Sequence, residues 1–186
     1  MLGKLALALL LSSALCPTAA AQTGPEWKTF APEGEGFSIE MPGVPEHGHD
    51  KIPWPGSSAT LDYDYFYVAI NSDVYLVGYI DMPPSEKNME KRLESGLNSV
   101  VRGALSKGGK EVSRRKVTSS FGCPQIAWVG STPAIPVMEV HAFGSPSRFY
   151  IIISSTGRGA RASGAAARFL DSFKVDGSPC GDKKAA

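Results

Sequence analysis

The sequence predicts an α+β domain of antiparallel strands with one long and one shorter helix. Three observations predict it. Short runs alternate apolar and polar residues between glycines and prolines; two pairs of such runs are close enough to be hairpins; and two stretches carry apolar residues at spacings of three and four.

The chain has 186 residues, and the first of them read as a leader. Met1–Lys4 is a short basic start, Leu5–Leu15 a mostly apolar run, and Ala19, Ala20 and Ala21 a small-residue cleavage signal. Residues 1–21 are therefore expected to be a secretory signal peptide, cut before Gln22. The apolar run is too short for a bilayer core of about 30 Å, so no stable membrane insertion is expected after cleavage. Cys16 follows Leu15 and precedes Pro17, which argues against a lipidation site. The expectation is a periplasmic or secreted protein, with one domain over residues 22–175 and a polar tail over 176–186.

Removing Lys4, the only charge in the leader, leaves 18 basic and 18 acidic residues. Nucleic acids are usually met by concentrated positive charge, so a neutral chain argues against such a partner. Cys123 and Cys180 remain after cleavage, and an oxidising compartment lets such a pair close, so a disulfide between them is expected. Their spacing excludes a CxxC redox site; two free thiols are the other reading.

In chain order, Glu26–Ala31 is a short candidate strand. Phe37–Met41 alternates cleanly, with Phe37, Ile39 and Met41 facing one way, and Pro42-Gly43 ends it. Residues Val44–Ser58 hold frequent prolines and glycines and read as a surface loop. His47, His49 and Asp50 lie in it and are candidate metal ligands, though a flexible loop supplies no rigid coordination frame.

Thr60–Ile70 and Asp73–Met82, joined at Asn71-Ser72, read as a hairpin. Tyr63, Tyr65 and Tyr67 share one face of its first strand with Leu61 and Ala69. They are either a cross-strand packing row or an aromatic ligand platform. Asp62 and Asp64 share the opposite face and read as solvated.

Ser85–Lys107 is the long helix. Met89, Leu93, Leu97, Val100, Val101, Ala104 and Leu105 form its apolar face. Ser85 is a candidate N-cap, and Lys107-Gly108-Gly109 supplies the stop. Gly96 and Gly103 flank the apolar stripe and suggest close packing on a sheet. Lys87, Glu90, Lys91, Glu94 and Arg102 are expected on the solvated side.

Lys110–Phe121 and Pro124–Gly130 follow as strands. Arg114, Arg115 and Lys116 in the first are either an anion site or the charges of a sheet edge. Pro136–Phe143 and Arg148–Thr156 form a second hairpin around Gly144–Ser147. Glu139 and His141 share a face of its first strand, and Phe149–Ile153 reads as a buried central strand. Arg161–Ser172 is the shorter helix, burying Ala162, Ala165, Ala166, Phe169 and Leu170, with Phe173 beyond it. Arg158, Arg161 and Arg168 give it a basic flank.

Four stretches stand out together, namely Trp27-x-x-Phe30, Gly36 to Pro45, Tyr79-Ile80-Asp81-Met82-Pro83 before the long helix, and the closing Arg168 to Val175. In their order and spacing the chain resembles the PsbP-like family of exported bacterial proteins, which includes the DcrB-type envelope proteins. That family shares its fold with the photosystem II extrinsic subunit and the Ran-binding nuclear transport factor. The resemblance implies an antiparallel sheet of about six or seven strands with helices on its faces. For most such bacterial domains it implies no known chemistry, and the two cysteines are an addition to the pattern.

No nucleophile elbow, zinc-protease helix, phosphate loop or dinucleotide fingerprint appears, so no cofactor is expected. The leading expectation is a non-catalytic envelope or extracellular domain that binds a protein or envelope component. One alternative is a small-ligand or metal carrier using the tyrosine face. The other is a hydrolase with an unfamiliar site drawn from His141, Glu139 and Asp81.

Overall fold

The structure, a computed structural model, describes residues 25–53, 60–82, 89–157, 164–177 and 180. The expected leader, the Ser85 cap, Lys87, Arg158, Arg161, Ala162 and the last tail residues lie outside the described residues. The fold is α+β, and its frame is a seven-stranded antiparallel sheet. In spatial order the strands are β3 (Glu46–Pro53), β4 (Thr60–Ile70), β5 (Asp73–Asp81), β9 (Arg148–Thr156), β8 (Val137–Gly144), β7 (Pro124–Ser131) and β6 (Lys110–Thr118). A three-stranded sheet adds β1 (Lys28–Phe30), β2 (Phe37–Met41) and β10 (Lys174–Val175), with β2 in the middle. The helices are α1 (Met89–Leu105) and α2 (Gly164–Asp171).

Each face of the large sheet carries its own core. On one face, Phe37, Ile39 and Met41 of β2 and Phe169 and Leu170 of α2 close over Tyr75, Val77 and Ile152. On the other, Leu93, Leu97 and Val101 of α1 close over Ile126, Trp128 and Val140. Val77, Leu97, Trp128, Val140, Ile152 and Phe169 are each 0 % exposed. Full burial of one such aliphatic side chain is worth about 1.5–3 kcal/mol. Helix α1 ends where Gly108 takes a φ of 80° and Gly109 N–H donates to the Ala104 carbonyl, an arrangement that closes the last turn.

Four expectations need correction. Residues 46–53 form β3, an edge strand paired along its whole length with β4, rather than part of a loop. Backbone pairing needs no apolar side chains, and β3 commits only Ile52 to a core, so its sequence shows no period of two. Asp176, expected in the polar tail, is tied to the domain instead, since its N–H donates to the Gly36 carbonyl at 2.9 Å directly after β10. Leu105 is 40 % exposed, at the helix end, rather than buried. Glu90 and Glu94 are not merely solvated; both meet Lys116 Nζ on β6 at 2.9 Å and tie the helix to the sheet edge. Charge on β6 thus serves two purposes, since the strand is also the open edge that its basic run suggested.

Below Trp128, Glu111 links three elements. It accepts from Trp128 Nε1 at 2.8 Å and from Arg114 at 2.9 Å, while Arg114 also donates to Asn98 of α1 at 2.7 Å. The Arg114 hydrogen bond, with a smaller contribution from the Trp128 N–H, holds the Glu111 carboxyl below its ordinary value of 4.5. A depressed carboxyl stabilises the fold fully above its unfolded pKa, and that stabilisation is lost as pH falls through the lower folded value. Glu111→Gln keeps an acceptor for Trp128 but removes the titration. Urea midpoints of wild type and variant are therefore expected to differ most near neutrality and to converge below about pH 4.5.

Candidate ligand-binding groove

Helix α1 lies over β6, β7 and β8 and leaves the β3–β5 half of its sheet face without a covering element among the described residues. Between the helix and that half-face runs a groove of about 780 Å³. This is within the range of roughly 300–1,000 Å³ common for small-ligand clefts. Its floor is aliphatic and aromatic, with Leu61 and Tyr63 from β4, Ile80 from β5, and Phe149, Ile151 and Ile153 from β9. One wall is the side of α1 carrying Ser95, Gly96 and Ser99.

Small residues open this space. Phe149 stands against Gly96, where a Cβ would come within 2.8 Å of the ring, so the helix approaches the sheet closely at that point. Gly103, the second glycine of the pair, has open space at its Cβ position instead. The two glycines therefore do different things, although their places in the sequence look alike.

Tyr63, Tyr65 and Tyr67 lie on this same sheet face, as expected. Tyr63 lies flat over Gly78 and Tyr65 over Gly48, where an added Cβ would fall within about 2.5 Å of either ring. The two rings stack at 5.2 Å, and Tyr65 and Tyr67 are 6.2 Å apart. Tyr67 donates to Glu46, and the Asp50 carboxylate raises the Tyr65 hydroxyl above its ordinary value. Burial does the same for Tyr63. The row is thus bonded into the sheet, and of the three rings only Tyr63 lines the groove.

The histidine cluster is assembled differently from its reading in sequence. His47 Nε2 and His49 Nδ1 both approach Asp64 Oδ1, at 3.2 and 3.0 Å, and His49 Nε2 lies 3.3 Å from Asp62. Asp50 points to the opposite face, beside Tyr65, because successive residues of a strand alternate. Asp64, not Asp50, is the acid brought to both histidines. Among the described residues no three such side chains are arranged to hold a metal ion. The Asp64 hydrogen bond raises His49 above its usual value.

His141, Glu139 and Asp81 do not converge. His141 Nε2 meets Glu139 at 3.1 Å and its Nδ1 meets Gln125 at 3.1 Å. Asp81 lies at the far end of its strand, held by Arg148 at 2.5 and 2.8 Å. Arg148 and the residue opposite His141 are four positions apart on β9, roughly 13 Å. Arg148 also donates to the Glu35 carbonyl at 2.7 Å and covers the Tyr79 ring at 4.1 Å, so this ionic group joins the β1–β2 turn to the main sheet. The basic run of β6 is likewise divided, with Arg114 and Lys116 turned to α1 and Arg115 to the other face.

Cys123 and Cys180 form a disulfide, with Cα atoms 5.2 Å apart. It lies away from the groove, at the β6–β7 turn, and Cys180 Sγ also approaches the Gly144 carbonyl. No described helix is long and apolar enough to cross a membrane.

No protein-family model and no curated protein matches the chain. The groove was only half visible in sequence. Its floor follows from the alternation of β4, β5 and β9. Its helical wall is not legible there, because Arg92, Ser95 and Ser99 look like ordinary surface residues of an amphipathic helix. The available signal was the run of small residues, Ser95, Gly96, Ser99 and Gly103, beside the apolar stripe of α1.

Proposed function

We propose that this is an exported, non-catalytic binding domain of PsbP-like type, and that its ligand is an apolar small molecule or envelope component seated between α1 and the β3–β5 half of the sheet. The observation that carries the reading is the groove, a mostly apolar cleft of ligand size that no element among the described residues fills, beside a well-packed core. The leader pattern and the cysteine pair support export to the periplasm or the medium, and the order of elements supports the family reading. The expected small-ligand role is thereby joined to the expected envelope role, with the site centred on Tyr63 and the β9 residues rather than on the whole tyrosine row.

The test uses N-phenyl-1-naphthylamine, a neutral probe that brightens in apolar sites. The folded protein is expected to bind it saturably. Ser99→Trp places a large ring in the cleft from an exposed helix position and is expected to abolish binding while changing stability by no more than about 0.5 kcal/mol. Wild type giving no saturable signal, or a folded variant binding as well as wild type, would sink the reading.

A further inference from the structure

The antiparallel register sets the three tyrosines of β4 opposite an acid, a glycine and a second acid. Tyr63 is opposite Asp50 on the β3–β4 ladder, Tyr65 opposite Gly48, and Tyr67 opposite Glu46. Alternation puts all of them on one sheet face, the face that also bears Ile52 and Leu61. Gly48 makes room for the middle ring, since a Cβ there would come within 2.2 Å of Tyr65 Cζ. The rings form a continuous row, with successive centroids 5.2 and 6.2 Å apart. All three are half-buried, and Asp50 and Glu46 are exposed, so the row is reached from solvent.

Both acids act on the rings. The Asp50 charge is the main cause that raises the Tyr65 hydroxyl, and it adds to burial and to Tyr65 in raising Tyr63. A hydrogen bond to Glu46 is the main cause for Tyr67. A carboxylate has about four acceptor sites on its two oxygens, so one tyrosine hydroxyl takes up only part of its capacity. Asp50 and Glu46 are four residues apart, about 13 Å along a strand at roughly 3.3 Å per residue. Aromatic ring faces carry negative potential and attract ammonium groups. The row is thus a strip of apolar, electron-rich surface with a carboxylate at either end. The basic residues of β3 belong to its opposite face, where His47 and His49 meet Asp64 and Lys51 meets Asp62.

Beyond the groove, we propose that this row is a second binding site, for a linear aliphatic polyamine whose terminal ammonium groups meet Asp50 and Glu46 and whose methylenes lie across the tyrosine rings. A chain with positive ends and an apolar middle matches the row in length and polarity and is opposite to it in charge. A monoamine engages only one of the two carboxylates. The rings are already held, Tyr65 against Gly48, Tyr63 against Gly78 and Tyr67 by its bond to Glu46, so little side-chain freedom is lost on binding.

Calorimetric titration of the protein with spermidine, and with hexylamine as the single-charge control, tests the site. Spermidine is expected to bind saturably and about tenfold more tightly than hexylamine, and added salt is expected to weaken it. Glu46→Gln and Asp50→Asn keep the shape of exposed side chains, and each is expected to weaken spermidine about tenfold. Tyr65→Leu keeps apolar bulk over Gly48 but removes the ring face, and a loss of about threefold is expected. Asp62→Asn, on the opposite face of β4, is expected to leave the affinity unchanged, which separates the row from a general attraction of polycations to surface acids. Circular dichroism checks that each variant is folded. No saturable spermidine binding, equal affinity for spermidine and hexylamine, or wild-type affinity in any folded one of the three row variants overturns the site. A loss in Asp62→Asn as large as in the row variants overturns it as well. The wild-type comparison of spermidine with hexylamine keeps the proposal falsifiable should Tyr65→Leu not fold.

Discussion

Trp128→Ala is expected to destabilise the protein by about 3–5 kcal/mol, lowering the urea midpoint with little change in slope. Trp128 is 0 % exposed and is among the largest fully buried side chains of the described residues. Its ring lies over Gly130, where a Cβ would come within 2.1 Å of it, and it sits in the core that α1 closes. Alanine leaves a cavity under the helix and strips Glu111 of one hydrogen-bond donor. Trp128→Phe separates the two losses. It restores most of the ring and loses only the Nε1 bond and some volume, so a smaller cost of about 1–2 kcal/mol is expected. A cost for alanine below about 1 kcal/mol would mean that α1 is not held by this core. The outcome bears on the groove, because α1 is its wall and Trp128 helps anchor that wall over β7.

Losing the disulfide is expected to cost about 2–4 kcal/mol, and to lower the melting temperature by roughly 4–16 °C. Cys180→Ser is the cleaner variant, since Cys123 is 1 % exposed and a lone thiol behaves there as a small apolar group. The bond joins positions separated by 57 residues, so much of its effect comes from restricting the unfolded chain. It also holds residue 180 beside the end of β8. Strand and helix content should survive, because each sheet face has its core without the bridge. Scanning calorimetry with and without reductant gives the cost, and alkylation before and after reduction gives the pairing. Both thiols alkylating in the unreduced protein would refute the bond.

Most of the fold was legible because its strands alternate apolar and polar residues or run continuously apolar between turn residues. Phe37–Met41, Thr60–Ile70 and Arg148–Thr156 were read with their observed boundaries, since each ends in glycine, proline, asparagine or serine. The stretch at β3 was not legible. An edge strand with a single core residue carries no amphipathic period, and its partner β4 supplies the specificity instead. The β10 strand failed for a related reason, since two residues are too few to show any period.

The candidate site was legible in part. The tyrosine face was seen, yet whether its rings were free for a ligand depended on Gly48 and Gly78, which lie on other strands. The histidines were seen with the wrong acid. Sequence distance favoured Asp50, whereas the antiparallel register places Asp64 beside them. Long-range pairing sets such neighbours, and no local pattern records it.

By itself the sequence determined the α+β class, the long helix with its buried stripe, the two hairpins and the cysteine pair available for bonding. These depend on local periodicity and turn chemistry, which a chain carries along its length. The tertiary structure alone decided that the large sheet has a core on each face, that among the described residues α1 covers one half of its face, and that the other half borders a groove with two arginines in its lining. Those facts arise from register and from how close two elements approach. Gly96 allows the helix to reach Phe149, and the groove is lined by both α1 and β4.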